Sequence, residues 1–262
     1  MDDAVAGGQI GGDEGGGEHL GRVRQSPPKK SHIKPWLKKQ WCIGELNGEY
    51  LARMEDVLAV YQKPRTAAEL LICFDEKPFQ LLAETVKPLA ARADGRARRE
   101  HYEYARRGTC NVLCAVAPQA GKRWAKVSEQ RRKLDYAEFL KEISEQVRRE
   151  MPEVEKIVLV QDNLNTHTAG AFYERFEAEE ARALTERFEF HFTPKKGSWL
   201  NMAEIELSCL SRNCLDRRIA TREEVAEQLA VRVRSRNGEK ARIEWRFTIS
   251  KAREKFKQYY KN

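Results

Sequence analysis

The sequence lacks the short motifs that mark several common classes of enzyme. Its 262 residues contain no GxxxxGK[ST] phosphate loop, no GxSxG nucleophile turn and no HExxH zinc motif. Phosphate-loop NTPases, hydrolases of the nucleophile-turn type and HExxH peptidases are therefore excluded. We predict no small-molecule substrate.

Cysteines are few, and their spacing fits neither zinc binding nor a disulfide framework. The six cysteines form no CxxC pair and have no histidine at zinc-ligand spacing beside them. Most lie in apolar runs such as LLICF and CNVLCAV, which favours reduced thiols in the core of a cytosolic protein. No apolar run approaches the roughly 18 residues of a membrane span, and the N-terminus has no apolar signal core. We therefore predict a soluble, cytoplasmic protein with no membrane partner.

Basic residues outnumber acidic ones. The chain has 48 lysines and arginines against 40 aspartates and glutamates, a formal net charge of +8. Such a surplus favours an acidic partner, and nucleic acid is the first candidate. Many other cytosolic proteins share this balance, so charge alone does not decide the function.

Composition divides the chain into three parts. Residues 1–30 form a Gly-rich lead, predicted to be disordered because it has almost nothing to bury; its first 21 residues hold eight of the sixteen glycines. Residues 31–65 form a basic, aromatic linker and a helix, and residues 66–262 form the main domain. Hydrophobic periodicity predicts strands at 70–82, two in 102–128, 156–161 and 188–194, and helices at 46–62, 135–149, 169–187, from about 201, 221–238 and 249–260. Two capping boxes, DYAE at 135–138 and TREE at 221–224, mark helix starts. This order predicts an α/β fold, a mixed sheet flanked by helices, and it resembles the ribonuclease-H-like fold.

Two aspartates stand at the ends of buried strands. Asp75 interrupts LLICFDEKPFQLL, and Asp162 follows KIVLVQ directly. A buried carboxylate is costly unless it is paired or bound to a metal, and ligands collect at strand ends in α/β sheets. The structural alternatives are a salt bridge of Asp75, for instance to Lys77, and a turn or helix cap at Asp162. Next to Asp162, Asn163 and His167 are candidates to orient a water, a phosphate or a metal ligand, although His167 fits a solvated loop nearly as well.

A third acid lies in GSWLNMAEIE at 197–206. Asn201 and Glu204 have capping-box spacing, and Glu204 and Glu206 lie near opposite edges of one apolar helix face. Periodicity does not choose between the two glutamates. Three carboxylates suit Mg²⁺, and two such ions can activate an attacking oxygen and stabilise a leaving oxygen on a phosphodiester.

The segments FDEKPF, VLVQDNLNTH and GSWLNMAEIE together resemble the three acidic motifs of DDE transposases. The most similar group is the bacterial insertion-sequence branch of the mariner superfamily, the six-thirty family. The resemblance covers about residues 32–260. It implies that residues 66–262 are a ribonuclease-H-like catalytic domain and that Asp75, Asp162 and Glu204 are the catalytic, metal-binding triad. Glu204 is favoured because it lies three positions after Asn201, although Met202 stands where the family often has proline.

The resemblance also implies partners and a reaction. Such enzymes cut DNA at transposon ends with Mg²⁺ or Mn²⁺, in this case two ions, and then join the freed 3′-hydroxyl to target DNA. Asn163, His167 and Asn201 are expected to orient the ligands, and a homodimer fits an enzyme that handles two ends in the bacterial nucleoid. The family normally carries a helix-turn-helix region, of which 31–65 resembles a remnant, so an N-terminally truncated copy is expected. The alternatives are an inactive copy that only binds DNA or a partner, and a stand-alone ribonuclease-H-like nuclease.

Overall fold

The structure is a computed structural model, and it describes residues 46–261. The predicted disordered lead and most of the basic linker therefore lie outside the described residues. Within the described range, no helix is long and apolar enough to cross a membrane.

A five-stranded mixed sheet forms the centre of the fold, in the order β3-β2-β1-β4-β5. Its first three strands are antiparallel neighbours, while β4 and β5 run parallel to β1. This confirms the predicted mixed sheet and the ribonuclease-H-like fold. The strands are β1 (Glu69–Glu84), β2 (Tyr104–Ala117), β3 (Lys122–Ser128), β4 (Lys156–Gln161) and β5 (Phe188–Phe192).

Seven α-helices are present in the described part of the chain, at the predicted places, but three details differ from the prediction. Residues 169–187 form two helices, broken at 176–177, and the last α-helix ends at Lys255 before a 3₁₀ turn, Lys257–Tyr259. The helix predicted to start at Asp135 begins at Lys133, and the Asp135 carboxylate binds the Arg132 guanidinium instead of capping. The helices are α1 (Gly48–Gln62), α2 (Lys133–Glu150), α3 (Gly170–Arg175), α4 (Ala178–Arg187), α5 (Met202–Asn213), α6 (Arg222–Gly238) and α7 (Ile249–Lys255).

Strand alternation divides the apolar side chains between the two faces of the sheet. Leu70, Ile72 and Phe74 of β1 face a core formed with α2, α3 and α4. Leu71 and Cys73 face the opposite side, where α1, the start of α5 and α7 pack. A third cluster joins β2 to α5 and α6. As predicted, most of the described cysteines are buried free thiols: Cys73, Cys110 and Cys114.

Candidate active site

The two aspartates lie in equivalent positions on neighbouring parallel strands. The pairing of β1 with β4 ends at Cys73 opposite Val160, and Asp75 and Asp162 each lie two residues further along. Since side chains alternate along a strand, both aspartates belong to the α5 side of the sheet. The sequence suggested that Asp75 lies at the end of a buried strand. In the structure, β1 continues past Asp75 to Glu84. Asp75 lies instead where β1 extends beyond β4.

Asp75 is buried and lacks a cationic partner within the described residues. Its carboxylate accepts hydrogen bonds from the Glu76 amide at 2.8 Å and from Asn201 Nδ2 at 3.4 Å. The alternative salt bridge to Lys77 does not form, because the Lys77 amine donates to Ser211 Oγ at 2.9 Å. Asp75 therefore carries a charge that protein hydrogen bonds only partly stabilise.

The three acids of the predicted triad interact electrostatically. The pKa of Asp75 is raised from 3.8 to about 7, first by burial and then by the negative charges of Asp162 and Glu204, while the charges of His167 and Arg131 lower it. The charges of Asp162 and Glu204 thus lie close enough to Asp75 to oppose its ionisation. A cation between them would relieve this repulsion.

His167 is buried directly beside Asp162. Its Nδ1 lies 2.5 Å from Asp162 Oδ1, and its ring stacks on Tyr136 with centroids 4.9 Å apart. The Tyr136 hydroxyl donates to Gln161 Oε1, and Gln161 Nε2 donates to the His167 carbonyl, so the side chains form one network beneath the aspartate. His167 is completely buried, which rules out the solvated-loop alternative. The Asp162 carboxylate is held by this ring rather than capping a helix.

Glu76 is a half-buried acid with a nearly covered side chain, and sequence reasoning missed it. It belongs to the opposite sheet face from Asp75, and its carboxylate pairs with the Arg131 guanidinium. His167 Nε2 lies 3.4 Å from Glu76 Oε1, although its alignment is too poor for a hydrogen bond. The strict alternation of β1 could have placed Glu76 away from Asp75. The adjacent acids of the DEK motif therefore have different environments, one paired with a cation and one not.

The two glutamates of α5 also differ. Glu206 is 1% exposed and is held by Arg123 Nε at 2.8 Å and Arg236 Nε at 3.0 Å. Glu204 is exposed in the first turn of α5 and makes no side-chain hydrogen bond to a described residue. Glu206 is therefore committed to a buried ion-pair cluster, while Glu204 is free to face the aspartates.

Asn201 connects α5 to β1. Its Oδ1 caps the helix by accepting the Ala203 amide at 3.1 Å, and its Nδ2 donates to the Phe74 carbonyl at 2.7 Å as well as to Asp75. The predicted cap is present, but the reciprocal half of a capping box is not, because the Asn201 amide donates to the Ser198 carbonyl. The buried side-chain amide of Asn201 thus holds the start of α5 next to Asp75.

The remaining predicted residues lie at the margin of the site. Asn163 is exposed, and its side chain has no hydrogen-bond partner among residues 46–261. Trp199 is partly exposed; its Nε1 donates to the Tyr50 hydroxyl, and its ring packs edge-on against Phe247. Trp199 therefore packs against the protein.

The donor set fits a hard divalent cation in its chemistry. Carboxylate oxygens are the preferred ligands of Mg²⁺ and Mn²⁺, and Asp75, Asp162 and Glu204 supply them without a competing basic side chain on Asp75. Across residues 46–261, however, no group of three or more His, Cys, Asp or Glu side chains is already arranged to hold a metal ion. The three carboxylates therefore lie near one another at this end of the sheet, but they do not form a complete ligand set.

Residues 70–226 match the family model described as DDE superfamily endonuclease. The chain belongs to this family. In this DDE endonuclease chain the matched segment runs from β1 into α6, and so it includes all three acids. No curated protein matches the sequence.

Solved structures of Mos1 transposase complexes share the fold of this DDE endonuclease. The Mos1 strand transfer complex superimposes with a TM-score of 0.54 at 15% identity, covering 88% of this chain and 66% of that one. The Mos1 mariner paired end complex with Mn gives 0.52 at 15% identity, covering 78% and 63%. The chain therefore spans slightly less than two thirds of the length of these Mos1 chains.

Proposed function

We propose that this chain is a transposase catalytic domain that cleaves DNA at transposon ends and joins the freed 3′-hydroxyl to target DNA. Asp75, Asp162 and Glu204 bind the catalytic Mg²⁺ or Mn²⁺ ions, two in number. The observation that carries the proposal is the matching position of Asp75 and Asp162 on parallel strands, with α5 anchored to Asp75 by Asn201. Membership of the DDE endonuclease family supports the reaction class.

Each neighbouring residue has a role in this proposal. When bound, the metal ions supply activation of the attacking oxygen and charge neutralisation on the phosphodiester. His167 holds the Asp162 carboxylate in one orientation, and Asn201 does the same for Asp75. Asn163, exposed beside Asp162, is proposed to orient a water or a phosphate oxygen. The net positive charge of the chain favours approach of DNA.

The finer assignment follows from the three motifs. FDEKPF, VLVQDNLNTH and GSWLNMAEIE favour the bacterial insertion-sequence branch of the mariner superfamily, and we propose on that basis a cytoplasmic protein that acts on DNA. A homodimer is proposed because two transposon ends must be cut and joined together. The Mn-bound paired end complex of Mos1 supports this arrangement for a chain of the same fold.

The proposal is tested with the full chain and a supercoiled plasmid that carries the DNA flanking its gene. With Mg²⁺ or Mn²⁺ we expect double-strand cleavage and products in which a 3′-end is joined to a second plasmid. Asp162→Ala is expected to lower cleavage at least about a hundredfold while DNA binding is retained, because the substitution removes a metal ligand and not a phosphate contact. Asp94→Ala, in an exposed loop, is the matched control.

Each outcome of this experiment discriminates between functions. Nicking that depends on Asp162 but gives no joined products would identify a stand-alone nuclease and overturn the strand-transfer part. DNA binding without metal-dependent cleavage would identify an inactive DNA-binding protein. Cleavage that Asp162→Ala leaves unchanged would refute the assignment of the site.

A further inference from the structure

A cavity of about 330 Å³ lies between the end of α5 and one face of α6, outside the candidate active site. Three arginines line it, together with a single acid, Asp216. The lining residues on α6 follow helical spacing, so they form one face of that helix: Gln228, Val231, Arg232 and Ser235. The lining residues used below are Arg212, Asp216, Arg217, Gln228 and Arg232.

The three cavity arginines differ from the arginines around them. Arg218, Arg222 and Arg236 each pair with a glutamate, at 2.6, 3.2 and 3.0 Å. By contrast, Arg212, Arg217 and Arg232 form no ion pair with a carboxylate among residues 46–261, Asp216 included. A group of guanidinium charges without carboxylate partners in one concavity favours the binding of an anion.

Two further observations describe Arg232 and Arg217 at the cavity. The Arg232 Nε atom is buried and has no hydrogen-bond partner in the described part of the chain. Burial raises the pKa of the Cys214 thiol in the cavity wall, whereas the charges of Arg232 and Arg217 lower it. Both positive charges therefore act on the same wall.

A neighbouring cavity borders β1, the strand that carries Asp75. Asp216 also lines this second cavity of about 200 Å³, whose wall includes Lys77 and Ser211. Lys77 lies on the same face of β1 as Asp75, two residues further along. From Glu204 to Arg212 the helix rises about 12 Å, which is the rise of three to four nucleotides in one DNA strand.

We propose that the cavity lined by Arg212, Arg217 and Arg232 binds a backbone phosphate of the DNA whose neighbouring segment enters the candidate active site. The guanidinium forks suit phosphate oxygens, and their contact with the backbone carries no sequence preference. Inorganic phosphate could bind through the same contacts as a DNA phosphate. The choice of DNA as the ligand therefore rests on the proposed function. It assigns the cavity a positioning role and no part in bond cleavage.

The test measures binding of the full chain to a 30-base-pair duplex by fluorescence anisotropy, in EDTA so that cleavage plays no part. The variant is Arg217→Gln with Arg232→Gln. We expect a loss of about tenfold in affinity near 0.15 M salt and a fall of about one in the slope of log K against log salt. Arg234→Gln is the matched control, because Arg234 is exposed on α6, two residues from Arg232 and outside the cavity. It is expected to change both quantities much less.

Folding and the source of the anion are checked in parallel. The single variant Arg217→Gln, at an exposed position, keeps the test valid if the double variant does not fold. Inorganic phosphate is added to the wild type and the double variant in a thermal melt. Stabilisation of the wild type alone, with equal DNA affinity of both proteins, would identify a free-anion site and overturn the DNA assignment. Equal DNA affinity and equal salt slope without any phosphate effect would refute the site altogether, while leaving the cleavage proposal standing.

Discussion

Glu204 and Glu206 are two positions apart in α5, yet their environments are opposite. We expect Glu204→Gln to lower metal-dependent cleavage at least about a hundredfold while changing the free energy of unfolding by no more than about 0.5 kcal/mol, because its side chain is exposed. Glu206→Gln should lower the free energy of unfolding by about 3 kcal/mol, since it leaves the buried guanidinium of Arg123 without its counter-charge. Urea denaturation and plasmid cleavage measure the two quantities.

The comparison needs a variant that removes a carboxylate from a surface ion pair. Glu142→Gln serves, because Glu142 pairs with Lys126 at the surface, and it should leave stability and cleavage nearly unchanged. If Glu206→Gln abolished cleavage in a fully stable protein while Glu204→Gln remained active, the third acid would be Glu206. The buried arginine cluster would then have to open in the active enzyme.

Four of the described helices start with a side-chain cap, and the caps of α5 and α6 make a useful pair, because the α5 cap Asn201 also donates to Asp75. Asn201→Ala removes the cap of α5 and the hydrogen bonds to Phe74 and Asp75, whereas Thr221→Ala removes only the cap of α6. Each loss of a cap costs about 1 kcal/mol, and an unpaired buried carbonyl adds about 1 to 3 kcal/mol for Asn201→Ala. We therefore expect Asn201→Ala alone to lower cleavage, by about tenfold or more, in addition to its larger effect on stability.

The positioning role of Asn201 is separated from its stabilising role by metal dependence. If Asn201 positions Asp75, the Asn201→Ala variant should need a higher Mg²⁺ concentration for half-maximal cleavage. If Asn201 only stabilises the fold, the variant should have a smaller active fraction but the same half-maximal Mg²⁺ concentration. Thr221→Ala should match the wild type in this titration. An unchanged Mg²⁺ requirement in both variants would show that Asn201 only caps the helix.

The strands and most helices could be predicted from the sequence because their signals are local. KIVLVQ forms a buried parallel strand, and TREE caps α6 as predicted, with Thr221 Oγ1 accepting the Glu224 amide at 3.2 Å. DYAE failed because Asp135 had an alternative partner in Arg132, which the spacing rule does not weigh. Local patterns thus predict an element well but locate its first residue poorly when a charged neighbour competes.

The choice between acids could not be made from local patterns. Glu206 is removed from the site by Arg123 on β3 and Arg236 on α6, which are distant in the sequence and meet it only in the folded chain. The burial of His167 beneath Asp162 depends in the same way on Tyr136 of α2. Asp75 and Asp162 were easier to find, because a charged residue within or just after an apolar strand is unusual in the sequence itself.

The stability of the folded chain as a whole should depend on pH through Asp75 in the candidate site. The folded state raises the pKa of Asp75 from 3.8 to about 7, mainly through burial. A group whose pKa is raised on folding contributes stability below its unfolded pKa and loses it as the pH rises through the folded value. In EDTA, ionisation of Asp75 should therefore destabilise the wild type by about 4 kcal/mol between pH 4 and pH 8. Other groups also titrate in this window, so the measurement is the difference between wild type and Asp75→Asn.

Asp75→Asn removes the ionisation and should make the metal-free protein increasingly more stable than the wild type as the pH rises from 4 to 8. Asp94→Asn, at an exposed position, should follow the wild-type curve throughout. A divalent cation acts in the opposite direction, because binding to the folded state alone stabilises it by mass action. Mg²⁺ at pH 8 should therefore raise the melting temperature of the wild type and affect Asp75→Asn much less. A wild type that is equally stable with and without Mg²⁺, and whose difference from Asp75→Asn is independent of pH, would mean that folding does not raise the pKa of Asp75 and that the carboxylates do not bind the ion. Burial and the neighbouring negative charges destabilise ionised Asp75 in the metal-free protein, and a bound divalent cation would offset both effects.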